Sequence, residues 1–370
     1  MATGAGMWRK AMPAMLAAVL AGTLTACGSG DGEHRQVVDK AGTQVTVLDN
    51  ANESVYTKLQ LQGIHTVDGV RGMDWLSEEV VAVEKENKAL PAETVEGQQR
   101  YPHNLYLHDL SSGEEKPLLE GQKNYGFGLF SPDRKKLFYR EMYEATGLGW
   151  ILNLETGEPV KVSEAEFMTG EGGWSDDSHV IFPDMEGHIL RADAGGQSET
   201  VTETGGGLAN NVAASGTRIY YITGENGQLN AYDTETQKTV QLKQNVVWAL
   251  PSPDGSRLAV VKRSGPGKMT LVLCDSEGGE QTTLAEGQQI FGTGWSPDGS
   301  MLAYSVTDGT ADTEQVFITE VESGEQTPVL DDVHLADPLR WSPSGKKLFA
   351  STGVMAESGY QSKLYIITLS

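Results

Sequence analysis

Trp295-Ser-Pro-Asp-Gly-Ser-Met-Leu-Ala-Tyr304 reads as the end of one β-strand, a tight reversal and the start of the next. Pro presets its own φ, Asp can bond nearby backbone amides, and Gly takes the positive φ that a tight hairpin requires. A large flat Trp at the strand end can fill space between neighbouring sheets. Working outward, Pro251-Ser-Pro-Asp-Gly-Ser-Arg-Leu-Ala-Val260 and Trp341-Ser-Pro-Ser-Gly-Lys-Lys-Leu-Phe-Ala350 superpose on it without gaps. Phe130-Ser-Pro-Asp-Arg-Lys-Lys-Leu-Phe-Tyr139 and Trp174-Ser-Asp-Asp-Ser-His-Val-Ile-Phe-Pro183 join with single changes. Val212-Ala-Ala-Ser-Gly-Thr-Arg-Ile-Tyr-Tyr221 keeps the Gly and the apolar strand, and Trp75-Leu-Ser-Glu-Glu-Val-Val-Ala-Val83 is shortened in the turn. First positions 75, 130, 174, 212, 251, 295 and 341 lie 38 to 55 residues apart, a period that suits four short strands and their turns.

A second hairpin follows most copies, as in Leu105-Tyr-Leu-His-Asp-Leu-Ser-Ser-Gly113 and Val316-Phe-Ile-Thr-Glu-Val-Glu-Ser-Gly324, so each unit is a four-stranded meander. Trp-Ser-Pro-Asp-Gly followed by Leu-Ala-Tyr resembles the repeat of TolB-like β-propellers, also met in the propeller domains of prolyl oligopeptidase relatives. The resemblance covers nearly all of the chain beyond its first segment. It implies an all-β, seven-bladed β-propeller of four-stranded antiparallel blades, with six or eight blades left open by the two weak copies. Leu364-Tyr-Ile-Ile-Thr-Leu369 supplies only a third strand to the last blade, so a strand from the N-terminal side is expected to close the ring. Ser54–Leu61 is the first candidate and Gln44–Leu48 the alternative.

In such a meander the Ser-Pro-Asp-Gly and Glu-Thr-Gly turns share one face of the disc and look structural; the irregular loops share the other, where function is expected. That face takes the long insertion from Lys85 to His103, and the segments Glu141 to Gly149 and Val354 to Lys363. Its binding candidates are Tyr101, His103, Tyr125, Phe127, Tyr143, Phe291, His334, Asp337, Arg340 and Tyr360, aromatics beside charges being common on contact surfaces. Packing of loops against one another is the competing account of each.

The first residues carry Arg9 and Lys10, then an Ala- and Leu-rich stretch from Met12 to Ala26, too short and too broken by Pro13 to span a bilayer. Leu24-Thr-Ala-Cys27 resembles a bacterial lipobox, which implies a lipoprotein signal peptide over 1–26 and diacylglycerol on Cys27. Residues 27–43, in which Gly28-Ser-Gly-Asp-Gly-Glu-His34 follows the Cys, read as a flexible tether, and 44–370 as a single TolB-like propeller domain. Of 28 Lys and Arg, two precede Cys27, so the remainder balances 26 against 51 Asp and Glu, a net charge of −25. Nucleic acid and anionic lipid are poor partners for such a surface. With Cys27 lipidated, Cys274 has no partner and reads as a packed core thiol.

No Gly-x-Ser-x-Gly elbow, no His-Glu-x-x-His and no paired Cys occurs. With Ser370 directly after the last blade, the hydrolase domain of prolyl oligopeptidase relatives is not expected, nor is the extra N-terminal domain of TolB. Asp308, Asp312 and Glu314 offer carboxylates to a calcium ion but lack the alternation of an EF-hand loop, so no cofactor beyond the lipid is expected. The leading expectation is a monomeric, non-catalytic binding or scaffolding propeller, anchored at the extracytoplasmic face of the cell membrane, taking an envelope protein or a peptide or glycan ligand. The alternative is an extracellular lyase or hydrolase acting on a saccharide or small molecule in the central funnel; a cluster of His, Asp and Arg at the channel mouth would favour it. A channel lined by Gly128, Asn210, Thr293 and Leu339 would count against it.

Overall fold

Alternating apolar and polar residues between Gly-bearing turns produce antiparallel meanders, and seven of them follow one another in a computed structural model. The structure describes residues 35–40, 43–48, 59–95, 97–205, 207–307, 309, 313–356 and 359–370, the side chains of 35–48 and 354–360 excepted. Two compact units result, 1–58 and 59–370. In the first, Arg35–Lys40 pairs antiparallel with Thr43–Leu48. The second is the propeller, a seven-bladed all-β ring.

Blade 1 runs Arg71–Trp75, Val80–Glu86, His103–Asp109 and Glu115–Leu119, from inner to outer strand. Blades 2 to 6 repeat that order, opening at Asn124, Gly173, Ala209, Val246 and Gln289. Blade 7 takes Arg340–Trp341, Lys347–Ala356 and Gly359–Leu369 from the C-terminal end, and its outer strand is Leu61–Asp68. Ring closure by an N-terminal strand therefore holds, but its place differs from both candidates. Leu61–Asp68 pairs with Lys363–Leu369 and passes into blade 1 across only Gly69 and Val70, a link that leaves no room for a strand ending at Leu61. Gln44–Leu48 is engaged with Arg35–Lys40 instead, and Ser54 to Lys58 lie outside the described residues.

The core lies between blades: seven buried clusters correspond one to one with the seven blade junctions. The Trp of the repeat ties four of these junctions. The indole N–H of Trp174, Trp295, Trp341 and Trp75 donates to the carbonyl of Leu129, Leu250, Gly294 and Arg340 respectively, at 2.8–3.0 Å. Each acceptor directly precedes the corresponding strand-end position of the blade before, so one residue type in one place fills the gap and pairs a carbonyl there. In blade 4, Ala214 opposes Ile219 and only Gly216 and Thr217 turn the chain. The repeat is two residues shorter here than a gapless superposition gives, and Ala214, not Val212, takes the Trp place.

Candidate functional site

On the face of the Ser-Pro-Asp-Gly turns, polar groups are consumed internally. Ser131, Ser252 and Ser296 donate to Asp133, Asp254 and Asp298 at 2.6–2.7 Å and accept the amides of Lys136, Arg257 and Met301 at 2.9–3.0 Å. These hydroxyl bonds hold all three carboxyls below their usual range, Asp254 at about 2. That face is built to turn the chain.

On the opposite face, a charged cluster joins blades 7, 1 and 2. Arg71 opens the inner strand of blade 1, and its guanidinium forks onto Asp337, with Nε to Oδ2 at 2.6 Å and Nη2 to Oδ1 at 2.5 Å. The same guanidinium lies 4.6 Å from the centre of the Phe127 ring. Its Nη1 is 3.7 Å from Oε2 of Glu84, a carboxylate only 5 % exposed. The other oxygen of Glu84 is 3.0 Å from Nδ1 of His103, and this hydrogen bond raises the His103 pKa against the opposing effect of burial. Oε2 of Glu84 has no hydrogen-bond partner. Phe127 sits at φ 52°, where blades 4 and 6 place Asn211 and Gly292. An L-residue there costs roughly 1–2 kcal/mol, so the ring's position over Arg71 is held at an energetic cost.

Arg140 occupies in blade 2 the place Glu84 takes in blade 1 and is 1 % exposed. Its guanidinium lies 3.8 and 4.5 Å from the Phe138 and Phe167 ring centres, and Nη2 donates to the Glu171 carbonyl. Nε and Nη1 are unpartnered, and burial pulls its pKa down to about 9. The Glu171 carboxylate accepts the amide of Val212 at 3.3 Å, and burial pushes its pKa up. The loop before blade 3 is thereby fixed to blades 2 and 4.

Of the residues singled out from sequence, His103, Phe127 and Asp337 meet in the first cluster. Tyr125 instead packs edge-on against Tyr139 at 5.7 Å, a loop-packing role. Tyr143 is exposed and donates to Glu141, while Phe291 and His334 are also exposed. Arg340 contributes its carbonyl to Trp75, and Tyr101 is half-buried beyond the hairpin of Glu93–Val95 with Gln98–Arg100. Cys27 and the Tyr360 side chain lie outside the described residues, as do Asp308 and Asp312. Glu314 is engaged by Ser305 and by the Leu335 amide. Gly128, Thr293 and Leu339 are buried and only Asn210 is exposed, so those four do not line the channel together. Cys274 is buried, which moves its thiol to about 11. Arg71 carried no sequence signal because its partners Asp337 and Phe127 arrive from other blades, and Glu84 and Arg140 are charged strand residues whose burial the sequence does not mark.

A different pattern appears in the exposed apolar side chains. Nine large ones are 36–55 % exposed among the described residues. Leu61, Ile64 and Val240 sit on outer strands; Val95, Tyr143, Met168, Met185, Leu208 and Phe291 all belong to the irregular face. The turns of the other face contribute none.

No family model matches the chain. Among solved structures it is similar to an oligogalacturonate lyase in complex with manganese, with TM-score 0.60 and 15 % identity over 91 % of this chain and 96 % of that one. It is also similar to the oligogalacturonate lyase of Vibrio parahaemolyticus, with TM-score 0.57 and 13 % identity over the same shares. TolB from Acinetobacter baumannii matches with TM-score 0.48 and 17 % identity over 78 % of this chain and 63 % of that one. An uncharacterized protein of Agrobacterium fabrum is 27 % identical over 99 residues, which are 26 % of this chain and 33 % of that protein. The two lyases share the propeller fold, at identities that speak for the fold alone.

Proposed function

We propose that this chain is an extracytoplasmic lipoprotein, anchored through Cys27, whose propeller is a non-catalytic binding or scaffolding module working through its irregular face. The observation that carries the reading is the one-sided placement of exposed apolar groups, since such groups gathered on one surface mark contact sites. The −25 charge of the mature part argues against nucleic acid and for a protein, peptide or glycan partner. Crosslinking in intact cells, followed by capture and mass spectrometry, tests it by comparing the wild type with Met168→Ser/Met185→Ser/Leu208→Ser, which removes exposed apolar groups from that face. Reproducible partners weakened by those substitutions support the reading; identical partner sets, or none, refute it.

A second reading, an enzyme acting on a saccharide or small molecule, draws on the Arg71, Glu84, His103 and Asp337 cluster at the start of the inner strands. Against it, Arg71 and His103 are already paired with carboxylates within the protein, an arrangement that fastens blades together. Cleavage of a panel of acidic and neutral oligosaccharides, lost in Arg71→Ala while the fold is kept, would replace the first reading with this one.

A further inference from the structure

We propose that the irregular face of blades 2 to 4 is a docking surface for a basic, apolar peptide segment, one that interleaves Lys or Arg with Leu- or Phe-like side chains. The inference rests on the binding role assigned above to this face and names the chemistry of its partner.

Four consecutive loops form the surface: 143–146, 162–172, 183–188 and 203–205 with 207–208. They adjoin one another. The Thr169 amide donates to the Ala145 carbonyl at 3.0 Å, Phe167 stacks on Phe182 at 4.7 Å, and the Thr204 hydroxyl donates to the Gly187 carbonyl at 2.9 Å. Each loop presents one large exposed apolar side chain, Tyr143, Met168, Met185 and Leu208 in turn. Two of the four are Met, whose flexible and polarizable chain adapts to different partners.

Acidic charge predominates around them: the cations at its edge, Lys123 and Lys161, are paired with Glu141 and Glu164, and His188 with Asp184. No Lys or Arg occurs in these loops, nor in the next one, 224–227, whereas Glu144, Glu164, Glu186, Glu203 and Glu225 are all exposed. Blade 5 breaks the pattern with exposed Arg263 and Lys268, so the acidic character belongs to this arc and is not uniform over the face. An apolar surface alone would take any apolar partner. A surrounding acidic field rejects acidic segments and speeds the approach of basic ones. Two charge pairs formed at such a rim, each worth up to about 1 kcal/mol, would change affinity by roughly tenfold.

The test uses the mature chain and a synthetic peptide of alternating Lys and Leu, with Lys/Ser and Glu/Leu peptides as comparisons, measured by fluorescence anisotropy. Binding of Lys/Leu is expected, at least tenfold tighter than either comparison. It should weaken at least tenfold in Met168→Ser/Met185→Ser/Leu208→Ser and in Glu144→Gln/Glu186→Gln/Glu203→Gln/Glu225→Gln. It should be unchanged in the charge-matched variant of the other face, Glu114→Gln/Glu155→Gln/Asp177→Asn/Glu235→Gln. Equal weakening by the two charge variants, or equal binding of Lys/Ser, overturns the proposal. If the Lys/Leu peptide fails while crosslinks in cells still map to this face, the partner chemistry is wrong and the binding role stands. If crosslinks map elsewhere, both fall.

Discussion

Trp75→Phe isolates what the repeated tryptophan does at the junction that closes the ring. Trp75 has no exposed surface, and its indole N–H donates to the Arg340 carbonyl of blade 7 at 3.0 Å. Phe keeps an aromatic ring beside Phe349, 5.6 Å from the indole, but leaves the carbonyl unpaired. An unpaired buried acceptor costs about 1–3 kcal/mol. The lost part of the ring, equivalent to roughly two methylenes, adds about 0.8 kcal/mol for each. The expected loss is therefore about 3–5 kcal/mol. Trp248→Phe is the comparison, because the indole N–H of Trp248 is buried with no partner. That substitution loses ring contacts but also removes an unsatisfied donor, so its cost should stay below about 2 kcal/mol. Urea unfolding followed by far-ultraviolet circular dichroism measures both, and the midpoints should differ clearly at unchanged slope. Equal midpoints for the two variants would refute the inter-blade bond as a source of stability.

Gln237 stands at φ 55° in a turn where other blades carry Gly113, Gly157 and Gly324. Gln237→Gly should raise stability by about 0.5–1 kcal/mol, the relief of left-handed strain less the entropy of an added Gly, read as a higher Tm. Asp337→Asn removes one side of the fork on Arg71 and should cost about 2–4 kcal/mol in urea unfolding, since the mostly buried guanidinium loses its bidentate carboxylate and keeps only the more distant Glu84. His103 has a raised pKa, so its stabilising contribution is full below about pH 6.5 and is lost as pH rises through its higher folded value. Tm measured across that range should decline more steeply in the wild type than in His103→Gln; parallel curves would contradict the pairing with Glu84.

The fold was legible because the information it needs is local and repeated. Ser-Pro-Asp-Gly specifies its turn through bonds that reach two to five residues, as between Ser252, Asp254 and Arg257, and a Trp at the strand end marks four of the seven junctions. Where the local chemistry thins, the reading slips. Blade 4 replaces the four-residue turn with Gly216-Thr217, so its alignment was two residues out. The closing strand carries no turn motif and pairs with residues some 300 positions away, which hid its true register. The site follows the same rule. Phe127, His103 and Asp337 stood out as aromatic or charged residues in irregular segments, but Arg71 looks ordinary until Asp337, 266 positions distant in the chain, is brought beside it, and Glu84 until the sheet brings His103 beside it from the next strand. Arg140 was hidden for the opposite reason, since a charged residue inside a strand gives no sign that the ring will bury it completely.

The most direct test of the central claim places a photo-crosslinking amino acid singly at Met185 and Leu208 on the irregular face, and at Glu155 and Glu235 on the turn face, in cells. The binding reading predicts discrete crosslinked products from the first pair and none from the second. Products from the turn face alone, or from both faces alike, would contradict it.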